Sequence, residues 1–348
     1  MTKTKVAMHE SRAATPTPLV DSFGRVHNYL RISLTERCNL RCTYCMPEKG
    51  VDLTADQELL TDDEIVRIAS AFVQRGVDKI RLTGGEPLLR PSILDLCERL
   101  RGLGIRDLAI TTNGILLKRK LDPLVEGGVN LLNISLDTLV PAKFELITRR
   151  RGFERVLESI KRATSLPGLD QVKVNCVMKR GVNDDELLDF VELTRDLDVE
   201  VRFIEFMPFD QNKWKAKAIL PYYEMVDMIR ERWPTFARTP RLDGANTVSK
   251  TWQVPDFVGR VGFISSMTDQ FCGTCNRMRL TADGSMKACL FGSEEISLRD
   301  ELRAGASDEA LLGSIESILG RKHAKLGGHD SPESISKGSN RPMVKIGG

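Results

Sequence analysis

Between residues 28 and 322 this chain contains no histidine; its four lie at His9, His27, His323 and His329. A histidine general base or a His-rich metal site therefore has no residue to build it within the main body. There is no Gly-Lys dipeptide, hence no Walker A loop, and no GxGxxG. Charge of one sign is scarce as well: 51 basic against 48 acidic side chains leave +3. With so small a bias, and no basic patch bearing aromatics, a nucleic-acid partner is not expected. No window approaches the roughly 18 apolar residues of a membrane span, so no membrane association is expected either. The start, MTKTKVAMHESRAATPTP, lacks the apolar core of a secretory signal. A cytoplasmic, reducing location is expected, in which clustered thiols among the eight cysteines would bind metal or do redox work.

The 348 residues suffice for one large α/β domain with an appendage or for two ordinary domains. Residues 1–26 are polar and read as a mobile arm. From Tyr29 a unit of apolar run, loop and amphipathic helix repeats. The runs are 29–34, 79–83, 108–112, 131–136, 172–177 and 201–206, with helices over 91–101, 117–127, 152–165 and 184–197. A further helix carries Ile65, Ile68, Ala69, Phe72 and Val73 on one face, opened by a Thr61–Glu64 capping box. Strands alternating with helices imply a parallel sheet. Unusual residues follow all six runs, which favours a partial (β/α)6 barrel over an open sheet with one switch point. The alternation stops near 208. We divide the chain there into a barrel over 27–208 and a C-terminal unit over 209–348, with a small β unit around an Asp-Gly turn and a loose Gly/Ser-rich tail.

Six cysteines fall into two triplets. Cys38, Cys42 and Cys45 share one loop after the first run. Three thiolates can grip three corners of a four-iron cubane and leave one iron open to an outside ligand. A zinc site would want a fourth ligand, and no histidine is near. Cys272, Cys275 and Cys289 form the second triplet, equally readable as another cluster or as a zinc ribbon completed from elsewhere. Cys97 and Cys176 stand alone and read as core.

CxxxCxxC with Tyr44 before its last cysteine, followed by GGEP (84–87), resembles the radical S-adenosylmethionine (SAM) enzymes. With CNRxR after the second triplet, the chain closely resembles the molybdenum-cofactor biosynthesis protein A family, the GTP 3′,8-cyclases, from about Tyr29 to the terminal Gly-Gly. The resemblance implies two [4Fe–4S] clusters, on Cys38, Cys42 and Cys45 and on Cys272, Cys275 and Cys289. It implies SAM cleavage to a 5′-deoxyadenosyl radical, and a lyase reaction on GTP in molybdopterin synthesis. It further implies an electron donor, a downstream cyclic pyranopterin monophosphate synthase, and room for a homodimer. A peptide-modifying radical SAM maturase and a non-enzymatic iron–sulfur or zinc module are the rival readings.

Carried onto this chain, the resemblance assigns SAM to Tyr44, Gly85, Ser135 and Met207. It assigns GTP to Arg31, Arg81, Thr111, Lys173, Arg202, Arg277, Met278 and Arg279, and a functional role to the tail, Gly347 and Gly348. One physical check is independent of it. Arg31, Arg81, Lys173 and Arg202 all lie in barrel strands, where an unpaired buried cation costs several kcal/mol. Salt bridges to Glu86 or Glu205 could cover one or two, so an anion such as a triphosphate is expected at their centre. Arg149, Arg150 and Arg151 read as a solvated charge run.

Overall fold

The computed structural model describes residues 17–47, 49–239, 248–338 and 340–347. Six strands, β1 (Tyr29–Ser33), β2 (Lys79–Thr83), β3 (Asp107–Thr112), β4 (Leu131–Ser135), β5 (Gln171–Met178) and β6 (Glu200–Glu205), are parallel and adjacent in chain order. No strand order reverses among them, so there is no switch point, as the barrel reading requires. The sheet is a partial barrel and stays open.

Two C-terminal strands extend that sheet from opposite edges. Strands β7 (Ala237–Arg238) and β8 (Lys250–Gln253) form an antiparallel flap on β9 (Arg260–Ile264), which runs parallel beside β6. Strand β10 (Arg277–Leu280) runs parallel beside β1 and continues through β11 (Ser285–Lys287) to β12 (Ile296–Ser297). The unit drawn over 209–348 is thus woven into the sheet of the first.

Alternation along the strands separates two faces. Leu30, Ile32, Ile80, Leu82, Val172, Val174, Val201 and Phe203 are fully or almost fully buried against the helices. Their neighbours Tyr29, Arg31, Lys79, Arg81, Lys173, Asn175 and Arg202 face the lumen. The outer helices are α1 (Asp62–Gln74), α2 (Ile93–Arg101), α3 (Leu117–Glu126), α4 (Pro141–Thr148), α5 (Phe153–Ser165) and α6 (Leu187–Glu192). The reciprocal Thr61–Glu64 cap opens α1, and Ile65, Ile68, Ala69 and Phe72 are its buried stripe. Helix α4, opened by Pro141, was not anticipated, and the helix expected over 184–197 shrinks to α6. A 3₁₀ turn precedes α6, where the buried Glu186 carboxylate accepts from the Thr138 hydroxyl and the Leu139 amide.

The C-terminal helices are α7 (Tyr222–Arg232), α8 (Leu298–Arg303), α9 (Asp308–Gly320), α10 (Pro332–Lys337) and α11 (Met343–Ile346). The tail is therefore not loose: Ile335 and Ile346 pack with Phe209, Met267, Phe291 and Leu326 in a second small core. At the other end, residues 1–16 lie outside the described residues. Residues 17–26 differ from the mobile arm expected there. Leu19 is buried in the main core, and Val20 bridges Val26 across a tight turn.

Candidate functional site

The first cysteine loop follows the C-terminal end of β1, and the glycine pair after β2 is its dock. A Cβ on Gly84 would stand 2.5 Å from the Thr35 carbonyl oxygen, and one on Gly85 only 2.3 Å from that of Arg37. Gly85 donates its amide to Thr35 at 2.7 Å. Close backbone approach explains both glycines, and the backbone approached is the chain's own. Glu86 then ties the loop after β2 to the end of β3: its buried carboxylate accepts from the amides of Leu88 and Asn113 and from the Thr112 hydroxyl. Burial pushes its carboxyl up to about 7, against those same hydrogen bonds. Asn113 in turn reaches Cys38 Sγ at 3.8 Å and the Asn39 side chain at 2.7 Å. Tyr44 bonds Asp137 beyond β4, whose carboxyl burial raises to about 6. Arg149, read as part of a solvated run, instead donates to the Arg41 carbonyl at 3.2 Å, beneath the same loop.

As free thiols these cysteines hold their protons. Burial drives Cys42 well up and Cys45 to about 12, and the nearness of Asp137 and of the companion thiols adds to it. A cationic cluster reverses that balance, because coordination removes the thiol proton. Among the described residues no three His, Cys, Asp or Glu side chains converge as a single ion requires. In a four-iron cluster each thiolate takes its own iron, so its ligands stand farther apart.

The second triplet lies at the opposite end of the strands. Cys275 precedes β10, whose first residue Arg277 pairs with Tyr29 at the start of β1. Cys272, Cys275 and Cys289 border a cavity of about 400 Å³ that fills the lumen. Here the protein supplies cations: burial alone would raise Cys275, yet Arg277 and Lys322 bring it down to about 6. Lys322 Nζ is 3.6 Å from its sulfur.

Arg31, Arg81, Lys173, Arg202, Arg277 and Arg279 all line this cavity, as does Met207. Thr111 lies behind them and accepts from Arg81 at 3.3 Å. Met278 does not join them; it faces the core, completely buried, because β10 alternates. Ser135 ends β4, half-buried, opposite Asn175. The cations are also better partnered than expected, and not by Glu86 or Glu205. Glu200 binds Arg202 at 2.7 and 3.1 Å. Glu205 instead accepts from the amides of Tyr222, Met267 and Thr268. Lys79, unassigned from the sequence, pairs with Asp107 at 3.2 Å and lines the cavity too.

Tyr29 was also missed. Its hydroxyl accepts from Arg81 Nε, and Arg31, Lys79 and Arg81 surround its ring. Burial would raise its phenol, but these three cations lower it to about 6. Four buried polar atoms near the lumen, Arg31 Nε, Ser33 Oγ, Asn133 Oδ1 and Asn175 Oδ1, have no partner among the described residues. Buried polar groups are normally satisfied, so this wall fits a polar ligand: Arg31 Nε and the Ser33 hydroxyl can donate to acidic oxygens, and the two asparagine oxygens call for ligand N–H or O–H donors.

The tail enters the same lumen. Lys345 reaches Glu36 of the first cysteine loop at 3.6 Å, and the Gly347 carbonyl accepts from Arg279 at 2.8 Å. Gly347 has φ +79, and a Cβ there would lie 2.4 Å from Thr83 Oγ1. Gly348 lies outside the described residues.

Residues 32–194 match the radical SAM superfamily, and 199–327 match the Molybdenum Cofactor Synthesis C family. Molybdenum cofactor biosynthesis protein 1 of Mus musculus is 57% identical over 330 residues, covering 94% of this chain and 51% of its own. The chain thus spans about half the length of that relative. The mitochondrial GTP 3′,8-cyclase of Arabidopsis thaliana is 56% identical, with 95% and 83% covered. The GTP 3′,8-cyclase of Streptomyces coelicolor is 43% identical, with 95% and 96% covered. Among solved structures, SuiB of Streptococcus suis bound to S-adenosylmethionine superposes with a TM-score of 0.56 at 16% identity, covering 89% of this chain and 76% of that one. That likeness shows the fold. A radical SAM barrel carrying the first cysteine loop, joined to a molybdenum-cofactor C-terminal region carrying the second, places this chain in the GTP 3′,8-cyclase family.

Proposed function

We propose that this chain is a radical SAM GTP 3′,8-cyclase, converting GTP to (8S)-3′,8-cyclo-7,8-dihydroguanosine 5′-triphosphate in the first step of molybdenum cofactor synthesis. One observation carries the reading: the second cysteine triplet borders a cation-walled lumen, and the first follows β1 at the other end of the same strands. Its volume, about 400 Å³, is that of a small-molecule site.

Cys38, Cys42 and Cys45 would hold a four-iron cluster, with SAM beside Tyr44, Gly85, Ser135 and Met207. Cys272, Cys275 and Cys289 would hold a second cluster facing the nucleotide. When bound, the first cluster and SAM supply the one-electron chemistry that takes a hydrogen atom from C3′ of the ribose, so that C3′ can bond to C8.

The chain's own residues bind and orient. Arg31, Arg81, Lys173 and Arg202 would grip the triphosphate, and Arg277 and Arg279 would approach it from β10. Glu200 fixes the Arg202 fork, while Tyr29 and Thr111 fix that of Arg81. Phe209 and Phe291, with ring centroids 6.0 Å apart, line the lumen beside Met343 of the tail and help to exclude water. An electron donor and a downstream synthase belong to this proposal as partners.

The test is anaerobic turnover of reconstituted protein with SAM, dithionite and GTP. The cyclised triphosphate should form with deuterium transferred from GTP labelled at C3′ into 5′-deoxyadenosine. SAM cleavage without such transfer would refute the assignment of GTP.

A further inference from the structure

The packed residues 19–27 have no part in the function proposed above, yet they close onto the second cysteine loop. Asp21 organises the turn. Its Oδ1 accepts from the amides of Phe23 and Arg25, and its Oδ2 bonds Arg25 Nε and His27 Nε2. The Asp21 side chain is fully buried and that of Arg25 only 8% exposed. Held in this way, the Arg25 guanidinium makes three further bonds to carbonyl oxygens of two remote segments. Nη1 donates to Cys272 at 2.8 Å and to Ala324 at 2.9 Å, and Nη2 donates to His323 at 3.0 Å.

Those carbonyls belong to the two segments that build the second triplet's surroundings. The Cys272 oxygen also accepts the Cys275 amide at 3.2 Å, so Arg25 grips the peptide that closes the turn between two of the three cysteines. Segment 322–324 carries Lys322, which approaches the Cys275 sulfur. Next to the turn, the Asn28 side chain accepts from Asn276 at 2.6 Å. A planar fork fixed on a buried carboxylate can orient several acceptors at little further entropic cost.

We propose that Arg25, braced by Asp21, is the positioning residue of the second cysteine loop: it sets the Cys272–Cys275 turn against the Lys322 segment so that the three thiols are presented to an iron–sulfur cluster. The proposal rests on the reading of that triplet as a cluster site. Groups that orient metal ligands through one intermediate bond commonly change metal affinity by about 10- to 100-fold when removed.

The experiment uses the full chain in two backgrounds, one with Cys38, Cys42 and Cys45 changed to serine, the other with Cys272, Cys275 and Cys289 changed. Iron content and the rate of iron release to a chelator are measured in each. If the first background binds no iron, the cluster reading itself is wrong. If it binds about four irons, Arg25→Ala should release them at least about tenfold faster, with Arg25→Lys intermediate. The other background should lose iron at an unchanged rate. Equal release with and without Arg25→Ala would overturn the proposal, and so would equal acceleration in both backgrounds, which would mark a general loosening. Should Arg25→Ala not fold, Arg25→Lys and Asp21→Asn carry the same comparison.

Discussion

Arg279, on a strand contributed by the C-terminal region, donates to the carbonyl of Gly347, one residue from the end of the chain, at 2.8 Å. The link seats a glycine of left-handed conformation against Thr83 at the end of β2. Gly347→Ala should therefore cost about 1–2 kcal/mol of local strain and leave iron content and SAM binding intact. Cyclisation should fall by roughly 10²-fold, the scale of a small misplacement in a crowded site. SAM consumption measured beside product formation checks it: the two should uncouple.

The three residues of the Arg277–Met278–Arg279 run should separate by strand face. Arg279→Ala should weaken GTP binding with little change in melting temperature beyond the lost tail contact. Met278→Ala should spare GTP affinity and cost about 2–5 kcal/mol of stability. Isothermal titration with GTP and thermal unfolding of both variants decide it; equal loss of affinity would place Met278 in the site after all.

Anaerobic reconstitution should load about eight irons per chain, as two four-iron clusters require. Serine at Cys38, Cys42 or Cys45 should abolish SAM cleavage. Serine at Cys272, Cys275 or Cys289 should leave some uncoupled cleavage and block GTP conversion. A plateau near four irons with zinc in the remainder would make the second site a zinc ribbon.

Acid should loosen the N-terminal turn through His27. Burial, with Lys322 nearby, lowers its imidazole from 6.5 to about 4, despite the opposing Asp21 bond. A base held neutral in the folded state stabilises fully above its unfolded value. As pH falls from about 6.5 to about 4 the unfolded chain takes the proton first, and about 3 kcal/mol is lost. His27→Gln, which cannot titrate, should flatten the stability profile across that window while keeping a donor to Asp21. Thermal melts from pH 4 to 7.5 measure the difference.

The barrel could be read from the sequence because unusual residues followed each apolar run, and β1 to β6 lie where those runs were. Cations in apolar strands marked the lumen for the same reason, since few other functions place Arg31, Arg81, Lys173 and Arg202 there. Lys79 and Tyr29 escaped notice because a strand's first residue is ordinarily half-exposed, where either side chain passes without remark. Glu200 as the partner of Arg202 could not be foreseen: such a pairing depends on geometry within one short strand and its neighbours. The tail misled through its composition. Its few apolar residues do not form a helical stripe, and α10 and α11 find their stability in Phe209, Phe291 and Leu326, far away in the chain.

The strands β9 and β10, placed at either border of the six-stranded sheet, give the protein a particular order of assembly. Strand β1 is made early on the ribosome, but its second neighbour arrives almost 250 residues later. Until then the β1 border of the nascent sheet remains unpaired, and such edges invite pairing with other chains. The first cysteine loop, which follows β1, would be present throughout that interval, before the tail whose Lys345 reaches its Glu36 has been translated. Cluster delivery should therefore follow release of the complete chain, and prematurely terminated products should aggregate instead of accumulating as an empty barrel.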